Sequence, residues 1–169
     1  MEYISAPWRG PYVRQVCRMR GCVLCRALKV RDDRRAYILY RGKYNFVLLN
    51  KFPYTPGHLM IAPFRHTASF DRVGREASAE MASLLQLSLK ILKKSVRPHG
   101  FNAGMNLGQS AGAGVVHHFH LHVIPRWHGD SNFMPLVSQT RVLIEDLDST
   151  YDRLLPFFRK ESRRPGRKQ

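Results

Sequence analysis

Between Val115 and Pro125 the chain reads Val-Val-His-His-Phe-His-Leu-His-Val-Ile-Pro, so that His118, His120 and His122 alternate with Phe119, Leu121 and Val123. Alternation at a period of two is the pattern of a half-buried β-strand and not of a helix. Such a strand carries one apolar face and one face of imidazoles. Burying three unpartnered imidazoles against a core would be costly, so the second face should meet a cleft, a metal or a ligand. A surface strand with chance histidines is the plainer alternative.

The rest of the chain supplies partners for such a strand. Ala36–Gly42 and Tyr44–Asn50 are rich in β-branched and aromatic residues and read as a hairpin. Two prolines and a glycine in Lys51–Gly57 break regular structure before a strand resumes over His58–Pro63. From Arg75 to about Val96 there is no Gly or Pro, and Ala77, Met81, Leu84, Leu85 and Leu92 recur at helical spacing. Lys90, Lys93 and Lys94 suit the negative end of that helix, which Pro98 and Gly100 stop. Phe101, Ala103, Met105 and Leu107 then share one face of a strand, joined to the histidine strand by the glycine-rich loop 108–114, so the two are expected to be antiparallel neighbours. A second helix is predicted from about Glu145 to Arg159, kinked or ended near Pro156. The sum is an α+β domain: a mainly antiparallel sheet of about five strands with two helices on one face.

With 169 residues the chain suffices for one domain with a hydrophobic core. Its net charge of +16 is uneven: residues 1–35 hold nine Lys/Arg against three Asp/Glu, residues 159–169 six against one, and the middle thirteen against eight. The chain therefore divides into a basic N-terminal segment 1–21, a domain 22–158 and a basic, flexible tail 159–169. A basic surface suits a polyphosphate substrate as well as a nucleic acid, so charge does not separate enzyme from binder. No apolar run is long enough to cross a bilayer, and Met1–Trp8 lacks the basic and apolar parts of a signal peptide, so a cytoplasmic protein without a membrane partner is expected. Cys22-Val-Leu-Cys25 is a Cys-x-x-Cys pair, a signal shared by redox and zinc sites. Cys17 stands outside it, as a spare thiol.

His118-Phe-His-Leu-His-Val-Ile124 is similar to the signature of the histidine triad family. Asn50–His58 resembles that family's Asn…Pro-Gly-His segment and Ala62-Pro-Phe-Arg-His66 its Pro-Lys-x-His strand end; together the pieces span most of residues 22–130. The resemblance implies a histidine triad (HIT)-like fold, usually a homodimer joined edge to edge, and a nucleotidyl transferase or hydrolase acting at the α-phosphate of an adenine nucleotide. It implies that His120 is the nucleophile forming a covalent histidine–AMP intermediate, that His122 donates to the phosphate or leaving group, and that His58 supports the triad. Neutral imidazole suits the first role because it attacks phosphorus without prior activation. Asn50 matches the position that holds the ribose hydroxyls, though it could simply cap a turn. In some bacterial members a pair like Cys22 and Cys25 binds structural zinc, together with the positions of His66 and His118 here. His117 would replace His118 if the strand carried a bulge, and two buried thiols without metal are the alternative. No organic cofactor is implied.

The family's hydrolases usually carry a Gln and a Ser or Thr where this chain has Gly114-Val115. A glycine there leaves room for an acceptor larger than water, such as orthophosphate. Asn106–Gly114, Pro125–Met134 and Ala6–Arg9 resemble the family's bacterial diadenosine tetraphosphate phosphorylase branch. That resemblance implies phosphorolysis of diadenosine tetraphosphate to ATP and ADP. Trp127 could stack on adenine or pack at a dimer interface. Asn106, Gln109 and Ser110 could contact polyphosphate or merely shape turns, and Arg126 could neutralise substrate charge or be an ordinary surface arginine. The competing readings are a hydrolase of dinucleoside polyphosphates or of AMP phosphoramidates, and, in another class, a basic nucleotide- or RNA-binding module. Nucleic acid is the less favoured partner.

Overall fold

The computed structural model describes residues 21–130 and 145–162. The N-terminal segment up to residue 20, with Cys17 and Ala6–Arg9, the stretch 131–144 and the tail beyond Ser162 lie outside the described residues. Two short helices, α1 (Val23–Lys29) and α2 (Asp33–Ala36), precede the hairpin of β1 (Ile38–Arg41) and β2 (Asn45–Leu49). There follow β3 (Leu59–Pro63), the long helix α3 (Arg75–Ser95), β4 (Gly100–Met105), β5 (Leu121–Arg126) and α4 (Leu147–Ser162). The five strands form one sheet in the order β1-β2-β3-β5-β4, every pair antiparallel.

β2 and β3 are buried on both faces, which follows from their almost unbroken apolar sequence. Val47, Leu49, Leu59, Ile61 and Val123 face α3 and α4 and form the larger core with Met81, Leu84, Leu92, Leu154 and Phe158. Phe46, Leu48, Met60 and Ala62 face the other way and are covered by Leu24 of α1. The two long helices thus share a face, as expected, and α1 adds a cover to the opposite one. A helix of seven residues offers too few turns for a periodic pattern to stand out, which is why the sequence did not announce it.

Three boundaries differ from expectation. The histidine strand pairs regularly only from Leu121, because beyond Ile61 the next β3 residue whose backbone faces β5 is Pro63, which has no N–H. His118–His120 instead form an irregular lead-in that bends at His118, with the Phe119 N–H donating to the Thr67 carbonyl (2.9 Å). α4 begins at Leu147 and runs unbroken through Pro156 to Ser162, past the expected domain end at 158. Asp146 caps it by accepting the Ser149 N–H (2.8 Å), and Pro156 lies on the exposed face, where water can replace the missing hydrogen bond. On the edge strand β4, Phe101 and Met105 pack on the core, whereas Ala103 is exposed and Leu107 lies beyond the strand, 48% exposed.

The hairpin is held by a residue with no sequence signature. The Glu80 carboxylate accepts the backbone N–H groups of Lys43 (2.6 Å), Tyr44 (2.8 Å) and Asn45 (2.8 Å) and the Asn45 Nδ2 (2.8 Å). Gly42 makes room for it: a Cβ there would fall 2.6 Å from Glu80 Oε1.

Candidate active site and metal cluster

The imidazole face of the lead-in and β5 meets three different surroundings. His118 is fully buried, and its Nε2 lies 2.8 Å from the Pro63 carbonyl, which can only accept, so Nε2 carries the proton. Its Nδ1 lone pair therefore faces the Sγ atoms of Cys22 (3.4 Å) and Cys25 (3.5 Å). Cys25 Sγ is also 3.3 Å from His66 Nδ1. One ligand atom from each of Cys22, Cys25, His66 and His118 lies within 4.8 Å of all the others. Two thiols and two imidazoles, one already oriented by a backbone carbonyl, fit a closed tetrahedral zinc site of the structural kind. Burial pushes the Cys25 thiol up, reinforced by Cys22 beside it, and burial lowers the His118 imidazole, so His118 stays neutral and able to ligate. His117 is exposed and takes no part in the cluster.

His120 is 5% exposed, and its Nδ1 donates to the His118 carbonyl (3.1 Å). That bond leaves the lone pair on Nε2. Burial lowers its pKa below the ordinary 6.5, partly offset by the same carbonyl, so the ring is neutral at pH 7. His120 lines a cavity of ≈ 230 Å³ whose walls are Val23, Leu24 and Ala27 of α1, Leu48 of β2 and Met60 of β3. Asn50, Lys51 and Arg26 supply its polar and positive groups.

His122 belongs to a directed chain of hydrogen bonds. The Tyr54 backbone N–H donates to His58 Nδ1 (3.1 Å), as does Asn50 Nδ2 (3.3 Å). With Nδ1 accepting, the proton of His58 is on Nε2, which donates to His122 Nδ1 (2.9 Å). His122 therefore carries its own proton on Nε2, in a ring 4.6 Å from that of His120. One imidazole is thus set as an acceptor and its neighbour as a donor. The Tyr54 ring stacks on His58 at 5.0 Å and adds to this support; sequence reading passed over it, since a tyrosine between two prolines carries no signal of its own.

Asn50 sits in a turn and also borders the cavity. Its Oδ1 accepts the Phe52 N–H (3.0 Å), and its Nδ2 helps orient His58. The other candidates are not drawn in. Asn106 Nδ2 donates to the Gly112 carbonyl (3.4 Å) within its own loop, and Gln109 and Ser110 are exposed on that loop. Gly114 is half-buried, next to Val115, which lines the cavity. Arg126 is taken by Asp130 (2.6 Å and 2.7 Å) and Asn102 (2.7 Å). Trp127 lies past the far end of β5, roughly 20 Å along the strand from His120, out of reach of the cavity.

A five-stranded antiparallel sheet carrying this imidazole row places the chain in a known family. It belongs to the histidine triad family: the HIT domain profile matches residues 31–129. The chain is 40% identical over 119 residues to an AP-4-A phosphorylase of Mycobacterium tuberculosis, covering 70% of this chain and 61% of that protein, so it spans about three-fifths of that relative's length. It is 30% identical over 128 residues to an uncharacterized HIT-like protein of Saccharolobus solfataricus, covering 73% of this chain and 90% of that one. The fold is similar to that of a Zn-bound histidine triad family protein from Mycobacterium smegmatis (TM-score 0.59, 21% identity, 90% of this chain and 94% of that one). No described helix is long and apolar enough to cross a membrane.

Proposed function

We propose that this chain is an enzyme that transfers a nucleotidyl group from the α-phosphate of a dinucleoside polyphosphate, through a covalent histidine–AMP intermediate, to orthophosphate. The observation that carries the reading is the proton assignment in the row: His120 presents a neutral Nε2 lone pair in the cavity, beside His122 with its proton on Nε2. The adenosine sits in the apolar slot between α1 and the sheet, with the α-phosphate at His120 and Lys51 and Arg26 balancing its charge. His120 Nε2 attacks the α-phosphorus, the bond to the bridging oxygen breaks, and His122 donates toward the oxygen on which charge develops. With diadenosine tetraphosphate the leaving group is ATP. An orthophosphate oxygen then displaces His120 from the intermediate and ADP forms.

The choice of phosphate over water rests on Gly114, which adds no side chain beside the cavity wall at Val115, and on the phosphorylase name of the Mycobacterium tuberculosis relative. Cys22, Cys25, His66 and His118 would hold a structural zinc whose chemistry is to cross-link α1 to the segments flanking the sheet. The edge strand β4, exposed at Asn102, Ala103 and Gly104, is the face for a homodimer.

Incubation with diadenosine tetraphosphate, with and without orthophosphate, followed by chromatography of the products tests the reading. ATP plus ADP formed only with phosphate is the expected result. ATP plus AMP regardless of phosphate would make the protein a hydrolase, and no turnover of the dinucleotide would remove the substrate class.

A further inference from the structure

The helix that carries the two cysteines is also a wall of the cavity. Cys22 is the N-cap of α1 and Cys25 lies in its first turn, while Val23, Leu24 and Ala27 line the cavity that His120 closes. α1 has little to hold it on its own account. It is seven residues long, the side chain of its N-cap Cys22 accepts none of the helix's own first N–H groups, and its first turn has no acidic residue. An isolated helix of that length does not form in water, so its order depends on tertiary tethers. The described structure offers two: Leu24, 1% exposed, with Val23, Ala27 and Leu28 partly buried beside it, against Phe46, Leu48 and Met60 of the sheet, and the cysteines, against His66 and His118; a nucleotide in the cavity would be a further one. The second link to the cavity is shorter still. The carbonyl that accepts the His120 Nδ1 proton belongs to His118, so the peptide carrying a cluster ligand also orients the cavity imidazole.

We infer that occupation of the Cys22–Cys25–His66–His118 cluster by zinc and of the cavity by a nucleotide strengthen each other, with α1 and the His118 peptide as the coupling elements. The inference rests on the nucleotide reading given above and extends it to regulation of the same cavity. Each ligand binds the ordered α1; whichever binds first meets the cost of ordering it, and the second binds more tightly. By linkage the factor must be the same in both directions.

AMP is the probe, used with the full chain either loaded with zinc or stripped by a chelator. Calorimetry should give an AMP dissociation constant about tenfold lower for the loaded protein, a factor usual for coupled sites. Competition with a chromophoric chelator should give a zinc affinity raised by the same factor at saturating AMP. Hydrogen exchange should show where the coupling lies: chelation accelerates exchange at residues 23–30 and leaves β2 and β3 protected, and AMP reverses part of the change. Equal AMP affinity in the two forms would overturn the inference and leave the nucleotide reading standing. AMP that fails to bind the loaded protein would overturn both. Exchange that rises alike in β2, β3 and α1 on chelation would also overturn it, since zinc would then support the whole fold.

Discussion

The two ends of β5 carry the same kind of residue in opposite conditions. At the start of the strand, His118, His120 and His122, with His58, are buried or nearly so, and every proton has an assigned nitrogen. Past its far end, His99 and His128 stack at 4.4 Å on the exposed surface, with the His128 N–H donating to His99 Nδ1 (2.9 Å), and Arg126 is tied to Asp130 and Asn102. Imidazoles in contact are therefore not enough to make a site. What distinguishes the first cluster is backbone carbonyls and amides that leave one lone pair and one proton in defined places beside a cavity. The second cluster closes a turn.

The sharpest way to break this comparison is to remove one imidazole from each end. If His120 is the nucleophile proposed above, His120→Ala should lower turnover of diadenosine tetraphosphate by about 10⁴-fold or more, whereas His99→Ala should stay within about twofold. Equal losses in a product assay would mean that the two ends do not differ in kind. Next in size, His122→Phe should reduce kcat by about 10²–10³-fold, because it removes the proposed donor to developing charge. His58→Phe should cost about 10–100-fold, since it acts only through His122. A smaller effect of His122→Phe than of His58→Phe would reverse the order of the hydrogen-bond chain.

The pH dependence sharpens the same contrast. Burial holds His120 below the ordinary 6.5, so the acid limb of kcat/KM should fall below pH 6.5. The sign for stability follows: in acid the unfolded chain binds a proton at this position that the folded chain refuses. Stability contributed by His120 should thus decline as pH drops through about 6.5 and go on declining to the lowered folded value. Urea unfolding across that range, compared between wild type and His120→Phe, measures the difference; identical slopes would contradict the burial argument. The smallest effect is expected at the far end. Arg126→Met should cost about 1 kcal/mol in chemical denaturation and leave turnover unchanged, because the Arg126 side chain is 42% exposed and water screens its ion pair with Asp130.

How far the sequence reached depended on whether the signal was periodic. The alternation of His118–Val123, the helical spacing of Met81, Leu84 and Leu92, and the Gly and Pro breaks around them determined the antiparallel sheet and the long helix, since each registers a choice of face that burial imposes residue by residue. The pairing of Cys22 and Cys25 with His66 and His118 came from resemblance, and in the fold these four residues do come together. Only the tertiary structure decided the rest. It turned α1 into a cavity wall, placed Glu80 in the hairpin turn, carried Trp127 away from the cavity, and through the carbonyls of Pro63 and His118 and the N–H of Tyr54 chose which nitrogen of each histidine holds a proton. None of these has a period. Each depends on one atom meeting another from a distant part of the chain, and that meeting exists only once the strands are in register.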